Sequence, residues 1–201
     1  MRMRKQKGFT LIEISIVLVI IGLLLGGVLK GKSMIDNAKY KSLKGEINAY
    51  STALYSFQDT YKAFPGDFSK ASTELNANAK NGSGNGTISG GHCNTDNEES
   101  CLVFSHLRYA DLISGDRTQV GIGARPNHAY GGLIPGIWFS VYNGVQGHWI
   151  ELSTIPVHII QRLDKDLDDG VANTGNIYCS SGCTGGYTAG ANGSGNVRLI
   201  L

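Results

Sequence analysis

Apolar positions recur along residues 9–61 without a proline or a turn cluster to interrupt them, which predicts one long helix. Its two halves carry different patterns. From Phe9 to Leu29 run 21 residues, mostly Ile, Val, Leu and Gly, with Glu13 as the only charge. That is about the number of residues a helix needs to cross a bilayer. Beyond Lys32 the pattern turns amphipathic. Tyr40, Leu43, Ile47, Tyr50, Leu54, Phe57 and Tyr61 recur at steps of three and four and form one stripe. The stripe suits either a coiled-coil seam or a helix laid on a sheet. We favour the sheet, because strands follow and need cover. Phe64-Pro65-Gly66-Asp67 then predicts the stop.

The rest of the chain reads as short elements joined by polar loops. Residues 76–100 form an expected loop, whose stretch NANAKNGSGNGTISGG (76–91) lacks core-forming residues and is expected to be mobile. A short helix is expected over 101–113, with Val103, Leu107, Ala110 and Ile113 on one side. Ile137–Tyr142 and Val145–Leu152 flank Asn143-Gly144, the strongest short-range hairpin cue. Ser153-Thr154 is the expected cap of a helix running to about Leu167. Strands near 176–179 and 197–201 complete a small antiparallel sheet. The fold class is α+β: a long N-terminal α-helix, transmembrane in its first half, packed on a small antiparallel β-sheet. Three segments follow: 1–8, a basic leader; 9–32, the membrane half of the helix; and 33–201, a globular domain.

Composition sharpens this outline at one point. The chain has 201 residues, 18 Lys+Arg and 16 Asp+Glu, for a net charge of +2. Arg2, Arg4, Lys5 and Lys7 alone outweigh that excess, so the positive sign comes from the N-terminal tip. Nothing resembles the clustered basic charge of a nucleic-acid binder, and no nucleic acid is expected as a partner. Basic residues before the apolar run place that end in the cytoplasm. Lys30-Gly31-Lys32 follows the run where a signal peptide would show a small-x-small cleavage site. A plain anchor gives no reason for a carboxylate inside it. Such a side chain costs about 3 kcal/mol at bilayer depth and marks a functional position. The bland alternative is a glutamate that snorkels to the headgroups.

Lys7-Gly8-Phe9-Thr10-Leu11-Ile12-Glu13, after a basic leader and before an uninterrupted apolar run, resembles the processing site of type IV prepilins and type II secretion pseudopilins. The resemblance implies cleavage after Gly8 by a membrane-embedded prepilin peptidase and N-methylation of the new first residue, Phe9. It implies docking into a helical filament through Glu13, with like subunits and an inner-membrane assembly platform as partners. It also implies a pilin-like fold, single-pass insertion before assembly, and a place in a periplasmic or surface filament afterwards. The apolar segment lacks the proline many pilins carry there; Gly22, Gly26, Gly27 and Gly31 stand in it instead. Phe9 and Glu13 are four residues apart and share a helix face. A methylated α-amine and the Glu13 carboxylate can neutralise one another in an apolar bundle, where either alone is costly.

Cys93, Cys101, Cys179 and Cys183 all follow the apolar run, on the oxidising side. Sequence proximity favours Cys93–Cys101 and Cys179–Cys183; zinc with His92 or His106 is the rival, though neither spacing is C-x2-C. Histidines are scattered, and no G-x-S-x-G elbow or phosphate-binding glycine motif occurs, so no catalytic residue is assigned and no enzyme is expected. A membrane-anchored periplasmic enzyme is the remote alternative, with Trp138, Tyr142 and Trp149 as a sugar platform or, more simply, as hairpin core. Around residues 163–170, four carboxylates crowd a predicted helix end, where the helix dipole favours cations. Either solvent, Arg162 and Lys165 compensate them, or Asp168 and Asp169 hold a weak Ca²⁺. The glycine of an EF-hand would fall on Asp169, so that pattern is not met.

Overall fold

The computed structural model describes residues 8–183, 186–187 and 193–201. The basic leader before Gly8 lies outside the described residues. The first helix, α1, runs from Leu11 to Tyr61 without a break. The chain divides into two compact units, residues 1–41 and 42–201. In the first, the large apolar side chains from Phe9 to Ile35 are exposed: Phe9 is 84% exposed and Leu11 89%. Its most apolar 18-residue window has a mean hydropathy of 2.7 and buries nothing within the protein. Such a surface is stable in lipid or against other apolar helices, and costly in water.

The second unit has its own core. The C-terminal half of α1 buries Leu43, Ile47, Leu54 and Phe57, the stripe expected from the spacing. The helix ends where Lys62 adopts a left-handed conformation, φ 55°, and Gly66 turns the chain at φ 90°. A Cβ on Gly66 would lie 2.5 Å from the Glu99 carbonyl, so only glycine fits this turn. A single turn of helix follows, α2 at Ala71–Glu74, and then α3 at Glu99–Tyr109.

The hairpin forms as predicted. β1, Gly136–Tyr142, pairs antiparallel with β2, Val145–Pro156, through Asn143 and Gly144, both at positive φ. Such a turn matches the twist of the strands it joins. After α4, Val157–Leu167, come β3, Ile177–Ser181, and β4, Ser194–Ile200. The sheet order is β1-β2-β4-β3, antiparallel throughout. One face presents Ile137, Ile150, Ile177 and Leu199, all buried. Ile47 and Ser51 of α1 share a cleft with Ile177 and Leu199, so this face lies towards the helix. Tyr55 also ties α1 to the chain end by donating to the Leu201 carbonyl at 2.8 Å.

Three expectations require correction. Ser153-Thr154 caps no helix: β2 continues through it to Pro156, and α4 begins at Val157 without a side-chain cap. Leu152 and Ile155 must both be buried, yet a spacing of three breaks the two-residue period of a strand. A register shift between them, with Thr154 at φ 59°, returns Ile155 to the buried side. Secondly, α3 stops at Tyr109, and Asp111 at φ 59° turns the chain before Ile113. Every residue from Glu99 to Arg108 is buried, because α3 meets α1 through the Tyr50–Phe104 and Phe57–His106 ring pairs and β1 at Gly136. Thirdly, the loop before α3 does contribute to the core, burying Ala79 and Ile88.

Candidate functional site

The stem begins on a reciprocal pair of side chains. Thr10 donates from its backbone N–H and from its hydroxyl to Oε2 of Glu13, each at 2.8 Å. The Glu13 N–H returns a bond to Thr10 Oγ1 at 3.3 Å. This is a capping box, which satisfies helix-end donors that have no partner within the helix. Thr10-x-x-Glu13 spells it in the sequence, on the same residues as the processing motif. Glu13 Oε1 accepts no hydrogen bond among the described residues. Phe9, Glu13, Ile14, Ile16 and Val17 line an open apolar recess of about 580 Å³ on the stem. Gly8 and Phe9 precede the helix and are exposed, the state a peptidase needs for a scissile bond.

The structure joins Cys93 to Cys101 and Cys179 to Cys183, with Cα atoms 4.8 and 6.1 Å apart. Both separations suit a bridge. No cysteine is free among the described residues. Nor do the histidines offered for zinc converge on sulfur. His106 accepts from the Gly66 N–H at Nδ1 (2.9 Å) and faces the Lys80 carbonyl with Nε2 (2.7 Å). Burial pushes its pKa down to about 4, against the opposing pull of the Lys80 carbonyl and Glu99.

Two buried carboxylates, invisible to the pattern analysis, organise the loop before α3. Asp67 accepts from the Asn85 and Gly86 N–H groups, both at 2.8 Å, and from the Ser83 hydroxyl. Glu99 accepts from the N–H groups of Ser83 and Ser89 and from the Ser89 hydroxyl. Burial alone raises the Glu99 pKa, but the Ser89 and Ser83 bonds outweigh it and hold the carboxyl below its usual range. Trp138 and Trp149 are 3% and 0% exposed, so both indoles are hairpin core, the simpler of the two readings, and the three rings form no open sugar platform.

At the end of α4, carboxylate oxygens of Asp164, Asp168 and Asp169 lie within 4.8 Å of one another. Each is already engaged. Asp168 Oδ2 accepts from Asn176 N–H (2.5 Å) and Ile177 N–H (2.9 Å). Asp169 accepts from Val171 N–H and the Thr174 hydroxyl. Asp164, fully buried, accepts from Gly170 N–H and from the Tyr187 hydroxyl. Burial pushes the Asp164 carboxyl up, only partly countered by those two donors. Compensation for the remaining acid comes from α1: Lys44 pairs with Asp166 at 3.8 Å.

An exposed apolar helix with a capped start and a disulfide-bridged α+β unit make a pilin-like fold consistent with membrane anchoring. Comparison with known proteins agrees. Residues 3–29 match the family described as "Prokaryotic N-terminal methylation motif". The chain is also 42% identical over 66 residues to the type II secretion system core protein G of Pseudomonas aeruginosa. That alignment covers 32% of this chain and 46% of the relative, so the chain spans about half the relative's length. No solved structure matches. The motif, the relative and the unbroken apolar helix together support a likeness to the prepilin and pseudopilin family.

Proposed function

We propose that this protein is a structural subunit of a type IV pilus-like filament, and not an enzyme. A prepilin peptidase cuts between Gly8 and Phe9, and the new α-amine of Phe9 is methylated. Before assembly the stem lies in the inner membrane with its N-terminus cytoplasmic; afterwards it is bundled in the filament core. The observation that carries this reading is the conjunction of Gly8-Phe9 with a capped Glu13 at the start of a helix whose apolar surface nothing in its own unit covers. In the bundle, Glu13 Oε1 takes the Phe9 ammonium of a neighbour while Oε2 keeps the cap. Intact-mass and N-terminal peptide analysis of protein from the native cell tests this directly. The expected mature chain starts at methylated Phe9; one starting at Met1, or beyond Leu29, refutes it.

The similarity to a type II secretion core protein favours a second reading, a secretion pseudopilin whose short filament works in the periplasm. Deleting the gene separates the two: loss of surface pili supports the first, loss of an exported enzyme with pili intact supports the second. We further propose weak calcium binding by Asp168 and Asp169. The closeness of the three carboxylates supports it, and competition from backbone donors keeps the affinity in the millimolar range.

A further inference from the structure

The sheet face turned away from α1 carries a charge cluster that the assembly reading does not use. Glu151, fully buried in the middle of β2, stands between Gly136 of β1 and Arg198 of β4. Its Oε2 receives the Arg198 Nε–H at 2.6 Å and lies 3.0 Å from His92 Nε2. Its Oε1 accepts nothing among the described residues, so the pair is single-pronged. The terminal nitrogens of Arg198 are therefore uncommitted to Glu151, and they have no other hydrogen-bond partner among the described residues. Aromatic rings hold the guanidinium in place. Its carbon lies 4.6 Å from the ring centre of Tyr142, 5.4 Å from Trp138 and 5.7 Å from Tyr178. Tyr142 and Tyr178 stack nearly parallel, 12° apart with centres at 5.2 Å, and Trp138 donates its indole N–H to the Tyr142 hydroxyl at 3.2 Å. Both tyrosines are half-buried, and the Arg198 side chain retains 18% exposure.

We propose that this cluster binds an acidic sugar: a ring-sized ligand with one carboxylate and several hydroxyls. A guanidinium fork fixed at its Nε offers its outer edge to a planar carboxylate, a match that lysine cannot reproduce. The parts of Tyr142 and Tyr178 that stay exposed beside their mutual stack give aromatic surface to sugar C–H groups and hydroxyls to sugar oxygens. β4 is paired on both sides, by β2 and β3, so an extended peptide finds no free backbone edge at Arg198. The buried Glu151 charge cancels part of the guanidinium field. A monoanion with hydroxyls therefore suits the site better than a phosphate dianion, and affinity is modest. The proposal concerns the head alone and holds for either kind of filament.

The test is isothermal titration of the full chain in detergent micelles at fixed ionic strength. The probes are a galacturonate trimer, the neutral galactose trimer and a triglutamate peptide. The galacturonate trimer is expected to bind with a Kd of roughly millimolar, and the other two at least about tenfold more weakly. Arg198→Lys and Tyr178→Ala, each checked for folding by circular dichroism, are each expected to weaken galacturonate binding about tenfold or more. Tyr178 sits on an edge strand, so its variant remains informative should the Arg198 variant fail to fold. Equal binding of the neutral trimer, stronger binding of the acidic peptide, no binding of any probe, or undiminished binding in a folded variant would each overturn the proposal.

Discussion

Glu13 holds two jobs in this molecule, and replacing it by glutamine separates them. Oε2 closes the capping box with Thr10, at 2.8 Å to both donors. On the proposed filament reading, the same carboxylate also neutralises the α-amine of a neighbouring Phe9. Glu13→Gln keeps an acceptor oxygen, and glutamine is an accepted capping-box residue, so the helix start survives. Glu13→Ala also loses both Thr10 donations to Oε2, while the N–H of residue 13 keeps Thr10 Oγ1. Both variants lose the charge. Leaving one member of a buried pair unpartnered costs about 3–5 kcal/mol. At about 1.4 kcal/mol per factor of ten, that weakens subunit association by roughly 10²- to 4 × 10³-fold. Insertion should not suffer, since an acid in hydrocarbon is itself unfavourable by about 3 kcal/mol. The expected pattern is normal membrane abundance in both variants, and filament yield abolished equally in both. Hydrogen exchange at the Thr10 amide, whose acceptor is the Glu13 side chain, should rise only in the alanine variant. Near-normal filaments from Glu13→Gln beside none from Glu13→Ala would refute the pairing argument and leave the cap as the whole role.

Non-reducing peptide mapping of mature protein should recover Cys93–Cys101 and Cys179–Cys183; opening either short loop should cost about 2–3 kcal/mol on the chain-entropy account. Stability should also fall on mild acidification. The folded-state pKa of His106 is depressed to about 4, so between the ordinary imidazole value of about 6.5 and about 4 the unfolded chain takes up a proton that the folded chain refuses. The loss accumulates to about 3 kcal/mol across that window. His148, buried against Phe64 and Phe139 and likewise lowered to about 4, acts in the same direction. His106→Gln, which can still accept from Gly66 and donate to Lys80, should flatten the slope between pH 6.5 and 4.5 in thermal melts. An unchanged slope would show that the buried imidazole does not control it. Millimolar calcium should raise the melting midpoint of the wild-type chain and leave Asp169→Ala unmoved; identical midpoints with calcium and chelator would reject the cation site.

The sequence by itself determined the features of the stem and the first hairpin, which rest on near neighbours. The unbroken helix from Leu11, its apolar first half, the stripe from Leu43 to Phe57 and the Asn143-Gly144 hairpin all follow from local periodicity and turn chemistry. Those features need no information about what lies opposite them. Even the capping box was legible, as a threonine three residues before a glutamate. Tertiary structure decided whatever needed a distant partner. The shift in β2 exists because Leu152 and Ile155 must share a buried side while pairing with β4, a constraint that no window around Ser153 contains. α3 is buried all round because α1 and β1 both reach it, which its own spacing cannot announce. Asp67 and Glu99 look like ordinary loop acids until the chain folds Ser83, Asn85 and Ser89 over them. Glu151 and Arg198 are 47 positions apart, and only the register of β2 against β4 places a guanidinium on that carboxylate. Local propensity is fixed by the next few residues, whereas register is fixed by the burial of whole strands. The stem was therefore readable in advance, and the chemistry of the head emerged only with the fold.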